Sequence, residues 1–323
     1  MEDKLNGSSS ELQELDGLPG GQPSEHGQQL QKSLIRSNFE RASGSYDEAA
    51  LLQREVADRM LEQFEYTNIT PERILDVGTG TGYCARGLES RFNKSSVIAL
   101  DLAQSMLGEA RRQAESKSRW FQKLKPGSSS HHFLCADTMQ LPLADQSIDL
   151  IFSNFTLQWC QDLQALFHEF RRVLRPGGLL TFSTLGTDTL TELRQSWAEV
   201  DGQIHVNHFV DLHDVGDLLL YSGFEEPVTS VDRFELTYPD VMALMRDLKG
   251  LGATNTNEGR SRGLTGKEKI RRLERAYREL QGGADRISAT WEVVYGHAWI
   301  PEDGFSAGSF PEEFSLPLNK FNT

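Results

Sequence analysis

The chain has 323 residues, of which 38% are hydrophobic and 25% charged, and it carries a formal net charge of −14. That length fits one elaborated domain, and the acidic balance argues against nucleic acid as the main partner. No run reaches the roughly 18 apolar residues of a membrane span. The three cysteines (Cys84, Cys135, Cys160) include no C-x-x-C pair, which points to a reducing, cytoplasmic setting without disulfides or structural zinc.

Residues 1–32 are polar and rich in Gly, Ser and Gln, with no apolar segment of a secretory signal, so a disordered acidic tail is expected there. Apolar residues then recur at helical spacing: Ile35, Phe39, Ala42 and Tyr46, followed by Ala49, Leu52, Val56, Met60 and Phe64. The Ser43-Gly44-Ser45 break predicts two helices within 33–66. From Pro71 the rhythm changes to short apolar runs at Ile74–Val77, Val97–Leu100, Phe133–Cys135, Ile148–Phe152 and Leu179–Phe182. Amphipathic stretches separate them, such as Leu163–Leu174, closed by Arg175-Pro176-Gly177-Gly178. That alternation predicts βαβ units and a parallel sheet covered by helices on both faces. Beyond Thr184 the spacing predicts a helix starting at an Asp188 cap and another over Asp211–Tyr221. It then predicts a strand over Val228–Leu236, helices over Pro239–Leu248 and Gly266–Gln281, and a strand over Thr290–Ile300. The domain is expected to span 67–301, with a second tail over 302–323.

The segment Ile74-Leu75-Asp76-Val77-Gly78-Thr79-Gly80-Thr81-Gly82 reads as a buried strand running into a glycine turn before a helix. Glycine is needed where backbone turns sharply and a ligand approaches without a Cβ in the way. Gly80-x-Gly82-x-x-Ala85 formally matches a dinucleotide fingerprint, but that match alone is weak. Asp76 argues against it, because a carboxylate at the loop would repel a diphosphate over the helix N-terminus. It suits instead a ligand with a cationic head, such as the ammonium of S-adenosylmethionine. Asp101 ends the next strand, 19 residues after Gly82, where it can accept from ribose hydroxyls. Asp137 follows the third strand, where an acceptor can take an adenine amino group. Each acid alone could be an ordinary helix cap; three on consecutive strand ends are hard to explain that way.

This set resembles the class I S-adenosylmethionine-dependent methyltransferases over roughly 72–184. The resemblance implies a Rossmann-like α/β fold with a seven-stranded, mostly parallel sheet and helices on both faces. Its antiparallel last strand would come from Thr290–Ile300. It further implies a cofactor site made by Asp76, Gly78, Gly80, Gly82, Asp101, Leu102, Asp137, Thr138, Asn154 and Gln53, with Asn154, Trp159 and Tyr46 around the transferable methyl. For Tyr46 and Trp159 an ordinary packing role is an equal alternative.

The flanks narrow the resemblance. Ser37-Asn38-Phe39-Glu40-Arg41-Ala42, Leu52-Gln53-Arg54, Asn154-Phe155-Thr156-Leu157-Gln158-Trp159-Cys160, Arg246-Asp247-Leu248-Lys249-Gly250 and Tyr295-Gly296-His297-Ala298-Trp299 resemble the malonyl-acyl-carrier-protein O-methyltransferases of biotin synthesis. That implies lid helices over 33–66, substrate-covering insertions at about 187–227 and 239–287, and methyl transfer to the free carboxylate of a malonyl thioester. The thioester would be carried by acyl-carrier protein or coenzyme A. A related family, the methyltransferase-like hydroxylases that assist respiratory complex I assembly, shares much of the layout, and another small carboxylic acid is a further alternative acceptor. A malonyl carboxylate is already ionised at neutral pH, so no general base is required and none is assigned; no metal set is expected either. Candidates for binding that carboxylate are Arg246, Lys249, Arg54 and the cluster His205, His208 and His213. From Arg246 to Arg278 there are ten basic residues against four acidic ones, so the remainder of the chain carries −20 against the overall −14. Arg262, Lys267, Arg271, Arg272 and Arg275 are therefore expected to steer an acidic carrier protein. No membrane contact and no obligate protein partner are expected.

Overall fold

The computed structural model describes residues 31–121, 132–256 and 266–302. The expected tails over 1–30 and 303–323, and Arg262 of the expected docking surface, lie outside the described residues.

Seven strands form one sheet: β1 (Arg73–Val77), β2 (Ser96–Asp101), β3 (His132–Cys135), β4 (Ile148–Asn154), β5 (Leu174–Leu185), β6 (Glu225–Tyr238) and β7 (Ile287–Trp299). Their order is β3-β2-β1-β4-β5-β7-β6, parallel from β3 to β5, with β7 antiparallel to both of its neighbours. The seven-stranded, mostly parallel sheet with an antiparallel last strand is thus present. β1 and β4 are short and almost wholly buried, as central parallel strands covered on both faces must be. Successive residues feed opposite faces: Ile74, Leu150 and Phe152 join one core, and Leu75, Val77 and Ile151 the other. At the outer edge, β6 alternates exposed and half-buried residues and tolerates Pro227, which a central strand would not. Gly296 on β7 faces Phe182 on β5, and an added Cβ there would sit 2.3 Å from the ring.

The covering helices are α4 (Tyr83–Arg91), α5 (Gln104–Phe121), α6 (Leu163–Val173) and α8 (Leu212–Tyr221). In α6, Leu163, Leu166, Phe167, Phe170 and Val173 are buried at three- and four-residue spacing, and Asp162 caps the helix through the Ala165 amide at 2.8 Å. The Arg-Pro-Gly-Gly turn is looped out within β5: Ile148 pairs with Leu174, yet Leu150 pairs with Leu179. After β5 come α7 (Thr191–Ala198), α9 (Val241–Gly250) and α10 (Lys267–Leu280), with α10 packed on α7.

Several boundaries differ from the sequence reading. The N-terminal segment forms three helices rather than two: α1 (Lys32–Ala42), α2 (Tyr46–Ala49) and α3 (Leu51–Gln63). The second break falls at Ala50, whose ψ of 42° leaves the helical region without any Gly or Pro to announce it. α1 starts at Lys32, a residue assigned above to the tail. Asp188 does not cap a helix with its side chain. Its carboxylate is taken by Arg233 of β6 at 2.6 Å and its amide by Glu292 of β7, so the chain reverses at Leu190 (φ 55°) and α7 begins at Thr191.

Candidate active site

The glycine turn leaves β1 with Gly78, Gly80 and Gly82 all at positive φ, between 56° and 79°. Only glycine takes three such angles in five residues without strain. At Gly78 the demand is also steric, because a Cβ would lie 1.9 Å from Thr156 Oγ1, the hydroxyl that donates to Val77 O. The loop is therefore closely backed by the β4–α6 connection.

Asp76 lies beneath this loop. It is 1% exposed, accepts the Thr79 hydroxyl at 2.6 Å, and is not on the cavity wall described below. Burial pushes its carboxyl up to about 7, against the opposing effect of the Thr79 bond. Arg86 of α4 ties the far side of the loop by donating to Thr81 O at 2.7 Å. Asp101, at the end of β2, accepts the Gly80 amide at 2.9 Å and the Ala103 amide at 2.8 Å. Burial pushes its carboxyl up to about 6, opposed by these same backbone donors.

Above the C-terminal ends of β1, β2 and β4 lies a cavity of about 280 Å³. Its wall includes Gly78, Gly80, Asp101, Leu102, Asp137, Thr138 and Asn154 from the sheet side, and Ile35, Phe39 and Tyr46 from α1 and α2. Trp159, in a 3-10 turn after β4 (Leu157–Trp159), packs edge-on against Phe39 with ring centroids 5.4 Å apart. The tertiary structure thus brings together most residues assigned to cofactor and methyl group. Gly82 and Gln53 stand just outside the wall. Asn154 donates to the backbone carbonyl of Gln53 at 2.9 Å and accepts from Ser183 at 2.7 Å, fixing the amide orientation. Burial drives the Tyr46 phenol far above its ordinary pKa, so it remains neutral.

Two helices, α1 and α2, are clamped over this cavity by polar contacts that the spacing did not reveal. Lys32 forms an ion pair with Asp137 on the cavity wall. Glu40 accepts the Gln104 and Ser105 amides at 2.8 and 2.9 Å, capping α5 from another element. Asp47 accepts from Thr81 of the glycine loop and from Gln113 of α5, both at 2.6 Å. The one sequence signal for Lys32 is its position three residues before Ile35, in phase with α1.

The carboxylate candidates scatter. His213 is 89% exposed at the start of α8, bonded to Asp211. His205 stacks on Trp197 at 3.6 Å and bonds Asp201, while His208 is shifted down by burial and by the nearby Arg194 charge. Arg246 and Lys249 are exposed on α9, and Arg54 donates to Asp47 O at 2.5 Å. None of them lines the cavity.

Residues 75–182 match a family described as a methyltransferase domain. The malonyl-[acyl-carrier protein] O-methyltransferase of Methylovorus sp. is 45% identical over 287 residues, covering 87% of this chain and 95% of that protein. The enzyme of the same name from Laribacter hongkongensis is 48% identical over 270 residues, 84% of this chain and 90% of that one. Among solved structures, the YcgJ protein of Bacillus subtilis superposes with a TM-score of 0.51 at 16% identity, covering 76% of this chain and 99% of that one. The phosphoethanolamine N-methyltransferase 2 of Haemonchus contortus, solved with S-adenosyl-L-methionine, gives 0.51 at 18% identity, covering 83% of this chain and 60% of that one. At such identities the two structures share the fold.

Proposed function

The chain belongs to the malonyl-[acyl-carrier protein] O-methyltransferases, and we propose that it methylates the free carboxylate of a malonyl thioester on acyl-carrier protein, with S-adenosylmethionine as donor. The product is the malonyl methyl ester from which biotin synthesis starts. The observation that carries this reading is the extent of the likeness. The general methyltransferase match stops at residue 182, whereas the named relatives align over 270–287 residues and so extend well into the flanking helices.

The residues present fit an adenosyl-sulfonium ligand. Among the described residues, Thr138 Oγ1 on the cavity wall is buried without a partner, as is Gln53 Oε1 of α3. Buried polar atoms left unmatched cost about 1–3 kcal/mol, which a polar ligand would offset. Asp101 would hold the ribose hydroxyls, Asp137 and Thr138 the adenine side, and Gly78 and Gly80 the backbone approach. Asp76 acts on the ligand through the loop that it pins. The bound donor supplies an electrophilic methyl carbon on a positively charged sulfur.

The protein's own task is alignment and exclusion of water. The acceptor carboxylate is ionised at neutral pH, so no side chain has to remove a proton. Phe39, Tyr46 and Trp159 close the cavity with aromatic surface, and Asn154 presents a fixed amide between β4 and α3. Localisation to the cytoplasm is consistent with three free cysteines and with the absence, among the described residues, of any helix long and apolar enough to cross a membrane.

The test is transfer of labelled methyl from S-adenosylmethionine to malonyl-carrier protein, with succinyl-carrier protein and free malonate as comparisons. Label should appear in base-labile form on the malonyl carrier, at least tenfold faster than on either comparison. Equal labelling of succinyl-carrier, or none on the malonyl carrier, overturns the assignment.

A further inference from the structure

α9 carries surface that the cavity does not use. Val241 and Leu244 are buried, while Met242 is 42% exposed and Arg246 and Lys249 are exposed. Spaced four and three residues apart, these three lie along one helical face. Neither cation has an ion-pair or hydrogen-bond partner among the described residues.

The C-terminal end of α9 touches the helices over the cavity. A Cβ on Gly250 would lie 3.2 Å from Ala49 Cβ, and one on Gly252 would lie 3.1 Å from the Phe39 ring. Phe39 is cavity wall, and Leu51, two residues past Ala49, is 65% exposed. α10 differs in both respects. It packs on α7 and α9, and it uses much of its charge internally: Lys269 pairs with Asp201 at 2.9 Å, Arg278 with Glu274 at 2.6 Å, and Arg272 donates to Glu199 O.

We propose that the exposed face of α9, made of Met242, Arg246 and Lys249 with Leu51 beside it, is the docking surface for the acidic acyl-carrier protein. This rests on the function proposed above and says where its macromolecular substrate lands. The charge balance selects the occupant: a chain at −14 repels an acidic protein over most of its surface, so a local cationic face beside the cavity admits it. A small free acid would need no such face outside the cavity. Met242 at one end of this face and Leu51 beyond the other offer exposed apolar contacts on either side of the two cations. The charge of α10 acts at longer range, on approach; α9 makes contact.

The test compares Arg246→Glu/Lys249→Glu and Met242→Asp with the unsubstituted enzyme. The substrates are malonyl-carrier protein and malonyl-pantetheine, a short uncharged-arm thioester, each at low salt and at about 0.5 M salt, where the Debye length falls to roughly 4 Å. Both variants should raise KM for the carrier substrate about tenfold at low salt, remain several-fold raised at high salt, and keep the KM for malonyl-pantetheine. Unchanged carrier KM in both variants overturns the docking face. So does an equal rise with malonyl-pantetheine, which would put the cations in the acceptor pocket. If the unsubstituted enzyme turns over no malonyl-carrier protein, the proposed function fails rather than the docking face.

Discussion

Asp101 stands where electrostatics and ligand binding meet. Its carboxyl is held up at about 6 by burial, so it is ionised at pH 7.5 and neutral near pH 5. Hydrogen bonds from ribose hydroxyls favour the ionised form, so the bound state has the lower pKa. Affinity for S-adenosylhomocysteine should therefore be full above the ligand-free pKa and fall as pH drops below it, by about tenfold at pH 5. Calorimetric titration across pH 5–8 checks this. Asp101→Asn should flatten the profile and weaken binding by about 1–3 kcal/mol at pH 7.5, because an amide N–H would then face the Gly80 or Ala103 amide. Gly78 makes a separate case. Gly78→Ala combines a left-handed φ of 71° with a contact 1.9 Å from Thr156 Oγ1. It should destabilise the ligand-free fold by about 2–4 kcal/mol, measured by denaturant unfolding.

At the scale of elements, α3 is anchored in the core by Leu52, Val56, Ala57 and Met60, whereas α1 and α2 are held over the cavity mainly by dispersed polar contacts. Lys32–Asp137, Glu40 on the α5 N-terminus and Asp47 on Thr81 are the principal ones. Such contacts allow local opening at lower cost than a packed core does. Hydrogen exchange over 32–49 should accordingly slow when S-adenosylhomocysteine is added, by tenfold or more for the amides of α1 and α2. Protection confined to 78–82 would show that these helices are fixed scaffold. Glu40→Ala should cost about 1 kcal/mol of stability by uncapping α5, and should raise the exchange of α1 in the ligand-free state. The capped, strongly amphipathic α6 was legible in sequence, because Asp162 and the Leu163–Val173 spacing act within one helix. The break at Ala50 was not. It is imposed by the turn that lets α2 reach Thr81 while α3 packs on α4 and the sheet.

Over the whole molecule, charge is segregated. The stretch 246–278 is basic within a strongly acidic chain, and the exposed Arg271 and Arg275 lie on α10 with Arg272. Reversing Arg271, Arg272 and Arg275 to Glu should raise the apparent KM for malonyl-carrier protein several-fold at low salt, with the difference vanishing as salt screens the field. Affinity for the methyl donor should stay within twofold, since none of the three lies on the cavity wall. Within α10, Glu268 pairs with Arg271 at 3.6 Å, and Arg272 turns to the backbone of Glu199 on the α7 side.

The order of strands and helices, the glycine turn and the acids at successive strand ends were set in the sequence by itself. Each is a local pattern, whether a period of two, a period of 3.6, or glycines at positive φ, and local patterns act on the chain before it packs. Tertiary structure alone decided which way those acids work. Asp76 and Asp101 read alike in sequence, yet one is pinned beneath the loop by Thr79 and the other faces the cavity. Lys32, distant in the chain, reached Asp137 only because α1 folds across the β3 end of the sheet, and Arg246 and Lys249 were turned outward because Val241 and Leu244 claimed the inner face of α9. Pairings between residues a hundred positions apart depend on the packing of whole elements, and no spacing rule within one element encodes them.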